Sequence, residues 1–597
     1  MVPRAAVSLC RRCAAGLCAA VVACSAGTSP PRALFPDSIV SHLGAPSADG
    51  SYITFVEPST GNLALRFTAT GQVRALTANQ NSAEFAYFST PSPDGRSIAY
   101  AWFNAEKFYD LRLISSGGGE PRILLRNEET GFVQPCAWTP DGKQILTLLF
   151  RSDNISQITL VPAAGGPPRV LKSLNWIYPN KMDLSPDGRW IVYDNAAEPD
   201  SPQRDIFLLA TDGSREVRLV GHPANDVFPL FTRDGRGLVF LSDRSGVNGL
   251  WHQALDGDRP SADPSFVSAG LGRALPLGVT RDGRYIFARR SGSSNLALAA
   301  LDRGSGAVSP EPRMLSRAVD AGDSSPTWSP DGKTLAWLTR IGTENFGLES
   351  RGVTVYSLDS GEARLLTPKL AYIDLLRWSP DGRMLLAGGS DRHGLRGLYF
   401  VDPQSGEARP FVRRRDPGYR GFDAAWLSQA TVAYIHEGEQ FEIRSRSVDS
   451  AEERVLYATS ANLARLAASR DGGQIAFLAH KAPDQPQLVL VMPARGGAEP
   501  HQAASVRRGQ ISGIEWLSKD EILLAGSTSS GPAFFRVPAD GGSPPQRLTW
   551  KLDARGPVAV SPTGGMVAFT AGQPRTEILV LENSLPPAPS GQARAVK

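Results

Sequence analysis

Short apolar runs separated by polar turns continue along almost the whole chain, and no stretch among them has a convincing helical period. One stretch shows the plan. Pro326-Thr327-Trp328 closes an apolar run, Ser329-Pro330-Asp331-Gly332-Lys333 makes a polar turn, and Thr334-Leu335-Ala336-Trp337-Leu338 resumes the apolar pattern. In such a turn Pro fixes φ, the Asp side chain caps the backbone, and Gly takes the left-handed position. Two β-rich runs joined this way predict a hairpin. Val353-Thr354-Val355-Tyr356-Ser357-Leu358, the turn Asp359-Ser360-Gly361-Glu362 and the run Ala363-Arg364-Leu365-Leu366 complete the unit. Four short strands in this compass predict one propeller blade.

The unit recurs. Asp-Gly pairs begin at Asp49, Asp94, Asp141, Asp187, Asp234, Asp282, Asp331, Asp381 and Asp471, at intervals of 45, 47, 46, 47, 48, 49, 50 and then 90 residues. The last interval is twice 45, and a worn copy, Trp426-Leu427-Ser428-Gln429, lies inside it. Two more worn copies follow at Trp516-Leu517-Ser518-Lys519 and Ser561-Pro562-Thr563-Gly564, which makes twelve units. A repeat of this length decides the fold before any other feature. The chain is expected to be all-β, with two β-propellers of six blades each; seven plus five is the alternative, because propellers close with roughly four to eight blades. The expected segments are a first propeller over 36–315 and a second over 316–583, with a Pro-rich tail over 584–597.

Twelve copies of one turn are structural rather than catalytic. Asp94, Gly95, Asp141, Gly142, Asp187, Gly188, Asp331, Gly332, Asp381 and Gly382 are therefore read as turn residues. Trp138, Trp328, Trp378, Trp426 and Trp516, each just before a turn, are expected to pack between neighbouring blades.

The repeated Ser-Pro-Asp-Gly-Lys/Arg resembles the blades of the TolB-type β-propeller family. It stands here as Ser92-Pro93-Asp94-Gly95-Arg96, Ser185-Pro186-Asp187-Gly188-Arg189, Ser329-Pro330-Asp331-Gly332-Lys333 and Ser379-Pro380-Asp381-Gly382-Arg383, with Thr139-Pro140-Asp141-Gly142-Lys143 a close variant. Leu241-Ser242-Asp243-Arg244-Ser245-Gly246 and Gly389-Ser390-Asp391-Arg392-His393-Gly394 resemble that family's connection between second and third strands. The resemblance covers about residues 36–583 and implies six blades per ring and protein partners in a bacterial envelope. The separate N-terminal α/β domain of TolB has no counterpart in the pattern, so its particular partners do not carry over.

The first 23 residues differ in kind. Arg4, Arg11 and Arg12 precede a short apolar run, as in a signal peptide. The run ends Val21-Val22-Ala23-Cys24-Ser25, which resembles the bacterial lipobox; that resemblance makes Cys24 the lipidated first residue and Ser25 compatible with the outer membrane. Ordinary cleavage nearby is the alternative. Residues 24–35 read as a tether, since small, polar and Pro residues make no core. Cys10, Cys13 and Cys18 fall in the leader, so Cys136 is the one thiol left after Cys24 and is expected as a small buried strand residue.

Charge adds little. The net of +4 loses the leader's three arginines on cleavage, leaving 60 basic residues against 59 acidic ones. Nothing argues for nucleic acid. The tightest basic cluster, Arg413-Arg414-Arg415, sits in a predicted loop. Catalytic motifs are scarce: no Gly-x-Ser-x-Gly elbow opens a helix, no His-Glu-x-x-His occurs, and no hydrolase-sized segment follows the last repeat. Seven histidines are scattered without metal-ligand spacing. His222 is the best single channel-mouth candidate, with Asp226 and Asp423 comparable, because each stands at the approach to an inner strand. No catalytic residue, metal or cofactor is assigned. The leading expectation is a non-catalytic, lipid-anchored envelope protein whose ring faces bind proteins or peptides. A channel-mouth lyase or hydrolase acting on sugars or peptides is one alternative; an oligosaccharide- or peptide-binding protein is the other.

Overall fold

The computed structural model describes residues 30–585, leaving out 36–43, 58–59, 80–83, 105, 107, 128–129, 199–200, 202, 293, 303, 317–321, 342–350, 415–421, 481–484, 507–510, 529–530, 551–553, 573–574 and 583–584. The described residues form an all-β structure of twelve antiparallel sheets, nearly all four-stranded. The lipidation candidate Cys24 and the leader lie outside them.

Each Asp-Gly pair after the first closes the hairpin between an inner strand and the next, while Asp49-Gly50 stands just before Tyr52–Val56, within the isolated bridge of Pro46 to Ile53. At Ser329–Lys333 the Ser329 hydroxyl donates to Asp331 Oδ1 at 2.5 Å, and the Lys333 amide donates to the same oxygen at 3.0 Å. The Thr334 amide donates back to Ser329 Oγ at 2.9 Å, and Gly332 takes φ 71°. The same lattice recurs at Asp94, Asp141, Asp187 and Asp381. The Ser329 hydroxyl bond holds the Asp331 carboxyl below its ordinary pKa. The residue before Pro is thus as much a part of the turn as Asp and Gly.

The sheets pack face to face through apolar side chains on both surfaces. In strand Thr334–Arg340 the run Leu335-Ala336-Trp337-Leu338 is buried throughout. Tryptophans stitch neighbours together. Trp138 Nε1 donates to Thr90 O at 3.0 Å, Trp328 Nε1 to Ala559 O at 3.1 Å and Trp516 Nε1 to Ala467 O at 3.2 Å. Each acceptor lies on the inner strand of the adjoining sheet. Trp426 instead stacks on Phe400 with ring centroids 5.6 Å apart, and Trp378 packs half-buried against a core shared by two sheets. A buried indole contributes a large apolar area, and in Trp138, Trp328 and Trp516 its N–H also finds an acceptor.

Inner strands contact one another in two series. The first begins at Tyr52–Val56 and proceeds through Phe85–Pro91, Thr130–Trp138, Met182–Leu184 and Asp226–Phe231 to Arg273–Val279. The Arg281 amide then donates to Ala48 O at 2.7 Å, and one core spans the last and first sheets of that series. The second runs from Ser324–Trp328 through Leu370–Trp378, Ala424–Ser428, Asn462–Ala468 and Ile511–Trp516 to Ala554–Val560, which contacts Ser324–Trp328 again.

The two series exchange strands. Strand Tyr285–Ser291 pairs not with the next strand in sequence but with Arg575–Leu581. Strand Asn295–Ala300 pairs with Met566–Ala571. The register does not slip between them: Ser291 faces Arg575 and Asn295 faces Ala571, four residues on along each strand. One two-stranded ribbon therefore runs from the first series into the second, with Gly292 at φ 81° and Gly572 at φ 117° where it crosses. The division expected at residues 315 and 316 moves accordingly, since Asn295–Ala300 and Arg313–Met314 already belong to a sheet of the second series. Equal spacing of hairpin turns marks where units repeat, but not which sheet takes a unit's third strand.

Two expected coil segments also enter the sheets. Arg32–Ala33 pairs with Val580 and Leu579, and Phe35 is buried, so the tether does not extend to residue 35. Leu585 is buried in the same core, which shortens the expected tail by its first residues. Leu34, Phe35 and Leu585 are apolar side chains with a sheet edge within reach, and burial outweighs the polar composition around them. A further contact joins the series: Trp176 Nε1 donates to Arg392 O at 2.9 Å, and a Cβ on Gly394 would sit 2.4 Å from the Trp176 ring.

Candidate functional site

Most inner strands carry a bulge, and the bulged residue turns toward the middle of its series. Register breaks at Tyr87/Ser89, Val227/Leu230, Ser324/Thr327 and Ala464/Ala467 accompany positive φ at Phe88 (26°), Phe228 (56°), Ser325 (52°) and Arg465 (57°). Further breaks fall at Ile373/Leu375 and Ile511/Gly513, which set out Asp374 and Ser512. A left-handed residue other than Gly costs roughly 1–2 kcal/mol, so four of them are held in place by the sheets around them.

These residues line two narrow channels of different chemistry. The first holds a cavity of about 30 Å³ among Ala45, Phe88, Cys136, Lys181, Phe228 and Leu277. Ser89, Gln134 and Asn180 line it too, and Lys181 is its one charged group, with Nζ donating to Leu277 O at 3.2 Å. Burial pulls the Lys181 pKa down, with Cys136 and Asp183 opposing. Burial pushes the Cys136 thiol up to about 12. Lys181 is thus a cationic neighbour that the sequence around Cys136 does not reveal, yet the thiol stays protonated rather than activated.

The second cavity, about 50 Å³, is lined by Ser325, Asp374, Arg377, Asp423, Arg465 and Ser512 among others. Burial raises the Asp374 carboxyl from 3.8 to about 7; Arg396 and Arg351 oppose that rise, and the Asp423 charge adds to it. Asp374 Oδ1 is sealed from solvent and accepts no hydrogen bond among the described residues. Deeper on strand Ile511–Trp516, burial also raises Glu515, with Arg377 and Arg470 opposing.

The three sequence candidates do not converge. His222 is exposed, and its Nδ1 accepts from the Ala224 amide at 3.0 Å. Asp226 is fully buried, pairs with Arg244 at 2.7 Å, and has its pKa raised by burial. Both stand in the first series and neither is among the residues lining its cavity. Asp423 lines the second cavity beside Asp374. Among the described residues no group of three or more His, Cys, Asp or Glu is placed to hold a metal ion. Sequence reasoning missed Lys181, Asp374 and Arg465. A usable signal existed: Phe88, Lys181, Phe228, Ser325 and Arg465 each stand six residues before the Asp of their own Asp-Gly pair.

Bladed sheets around central channels define a β-propeller protein. Residues 108–346 match the TolB beta propeller domain family. Over that stretch the chain is similar to the TolB-type β-propeller family. It is 27% identical over 172 residues to the Tol-Pal system protein TolB of Wolinella succinogenes, a match covering 27% of this chain and 37% of that protein. The chain thus spans well under half the length of this curated relative. Among solved structures it is similar to TolB from Acinetobacter baumannii, at 17% identity and a TM-score of 0.22 over 61% of this chain and 80% of that one. It is also similar to the tricorn protease, at 13% identity and a TM-score of 0.30 over 90% of this chain and 63% of that one.

Proposed function

We propose that this chain is a non-catalytic binding scaffold of the bacterial cell envelope, built as two six-bladed rings and recognising proteins or peptides at its ring faces. The observation that carries the reading is the size of the two channels. Cavities of about 30 and 50 Å³ are small beside an ordinary ligand pocket, which favours contact with a partner at the faces and channel mouths, where a roomier cavity of about 600 Å³ lies beside Gln474, His501 and Glu521. The first ring comprises 32–291 with 575–585, and the second 294–571, a division supported by the cyclic contacts and the exchanged strands. The TolB relative is named for the Tol-Pal system, which favours an envelope location and protein partners.

Photo-crosslinking in the native envelope tests the scaffold. A crosslinker at Asp423, at the start of the inner strand Ala424–Ser428, is expected to trap a protein partner that one at Lys333, in the hairpin turn after the inner strand Ser324–Trp328, does not. No adduct from either position, in protein that fractionates with membranes, removes the scaffold reading. Lipid anchoring through Cys24 is a separate part of the proposal. Cys24→Ser is expected to release the protein into the soluble fraction and abolish labelling by a fatty-acid analogue, whereas unchanged fractionation without labelling means ordinary cleavage.

A further inference from the structure

One hairpin motif occurs in both series, and the two copies differ in what lies on them. Ser242-Asp243-Arg244-Ser245-Gly246-Val247-Asn248-Gly249-Leu250 of the first matches Ser390-Asp391-Arg392-His393-Gly394-Leu395-Arg396-Gly397-Leu398 of the second at Ser, Asp, Arg, both Gly and the final Leu. Each copy joins the second and third strands of its sheet, Gly237–Ser242 to Gly249–Asp256 and Leu385–Asp391 to Arg396–Val401, at the end remote from the Asp-Gly turn. The backbones agree. The Gly246 amide donates to Asp243 O at 2.8 Å and the Gly394 amide to Asp391 O at 3.1 Å, with φ of 83° and 75°.

The second copy seats an indole. Trp176 reaches it from the first series, in the loop after strand Arg169–Leu174, where the Ile177 amide donates to Asn175 Oδ1 at 2.9 Å. The ring lies on Gly394 so closely that a Cβ there would sit 2.4 Å from Cγ of Trp176. Its Nε1 donates to Arg392 O at 2.9 Å, and Gly394 is buried beneath it. The seat therefore has two parts, a bare glycine face and a carbonyl two residues before it. Indole matches both, with a broad apolar face and a single N–H donor. In the first copy both parts are uncovered. Nothing lies within 4 Å of a Cβ on Gly246, and Val247 beside it is 60% exposed. Arg244 O accepts no hydrogen bond among the described residues.

We propose that the Asp243–Gly246 turn is a second indole seat, which docks an exposed tryptophan of a partner protein. The inference rests on the binding-scaffold reading and names the side chain recognised at one face of the first ring. The tryptophan comes from another protein, because this chain has eleven and none of them is exposed. Phenylalanine offers the apolar face without a donor for Arg244 O, so indole is preferred over it. The seat is also braced in advance. The Arg244 guanidinium donates to Asp226 Oδ1 at 2.7 Å and to Ser242 Oγ at 3.0 Å, and lies 5.1 Å from the ring centres of Phe240 and Trp251. A turn held this way loses little freedom when a side chain settles on it.

The probe is acetyl-Lys-Ser-Leu-Asn-Trp-Ile-Tyr-Pro-amide, the chain's own residues 172–179, beside a twin with Ala in place of Trp. Saturation-transfer NMR on the full mature chain reads the binding. The Trp peptide is expected to bind with a Kd of about 1 mM or tighter, and its twin about tenfold more weakly or worse. Gly246→Asn keeps a residue that tolerates positive φ yet sets a Cβ under the ring, and is expected to weaken binding by about tenfold or more. Val247→Asp changes an exposed side chain beside the seat, so it carries the test if Gly246→Asn disturbs folding. Equal binding of both peptides, or undiminished binding to both variants, overturns the proposal. Self-association that Trp176→Ala abolishes makes the occupant another copy of this chain and overturns it too. If folded wild-type protein binds neither peptide while a crosslinker at Asp423 still traps a protein, the indole seat falls and the scaffold reading stands.

Discussion

Asp374 shows what a single position costs when its neighbours leave it half-satisfied. Its carboxyl is raised from 3.8 to about 7, chiefly by burial, so between those values the folded state holds a proton that the unfolded state has lost. Stability from this group is therefore highest below about pH 4 and declines as pH climbs through about 7, the reverse of a salt-bridged Asp. A rise of that size corresponds to at most about 4 kcal/mol, and to less here because the residue keeps partial exposure. Asp374→Asn should flatten the loss. The variant is expected to be more stable than wild type near pH 8 and close to it near pH 4, as read from urea midpoints at the two pH values. A variant that is less stable than wild type at pH 8 assigns Asp374 an ionic role in the fold instead. This residue was out of reach of sequence reasoning for a physical reason. Its environment is assembled by Asp423, Arg396 and Arg351, which come from three different stretches of chain. Asp423 was visible only as an acid near the start of a strand, and nothing local linked it to Asp374.

At the scale of the hairpin the sequence is far more informative, because the turn is closed by its own residues. Ser, Asp and Gly of one pentapeptide satisfy one another, so spacing alone locates every turn. What the pentapeptide does not show is how close the neighbouring sheet comes. Gly332 and Gly472 share the same backbone, with φ of 71° and 69°. A Cβ at Gly332 meets nothing nearer than 3.7 Å, whereas at Gly472 it would fall 1.7 Å from Leu427 O. Gly332→Ala should cost only the left-handed penalty, about 1–2 kcal/mol. Gly472→Ala carries that penalty plus a displacement of the adjoining backbone, and is expected to cost clearly more. Denaturant midpoints for the two variants decide the point; equal losses would show that the neighbouring sheet yields freely. The tryptophans follow the same logic. Their place before the turn was legible, but the partner carbonyls Thr90, Ala559 and Ala467 belong to other sheets.

At the scale of the molecule, the repeat count was legible and the connectivity was not. Every unit contributes a similar hairpin, so nothing in the pattern marks Asn295–Ala300 as leaving the sheet of Tyr285–Ser291. The decision is made by Arg575–Leu581, which competes for the same strand edge and buries Ile578, Leu579, Val580 and Leu581 against it. The second series is consequently an insertion within the last sheet of the first, entered and left along one ribbon. This asymmetry has a consequence for truncation. A chain ending at Ala571 retains every strand of the second series, including the pairing of Met566–Ala571 with Asn295–Ala300. It loses the strand that Tyr285–Ser291 and Arg32–Ala33 both depend on. Hydrogen exchange on that truncated chain should show lost protection over Arg273–Val279, Tyr285–Ser291 and Tyr52–Val56, with protection retained from Ser324–Trp328 to Ala554–Val560. Uniform loss across both series would mean that the second cannot stand without the first, and that Trp176 against Gly394 is part of a single cooperative unit. Unchanged protection throughout would mean that the exchanged strand is dispensable, contrary to the core it builds.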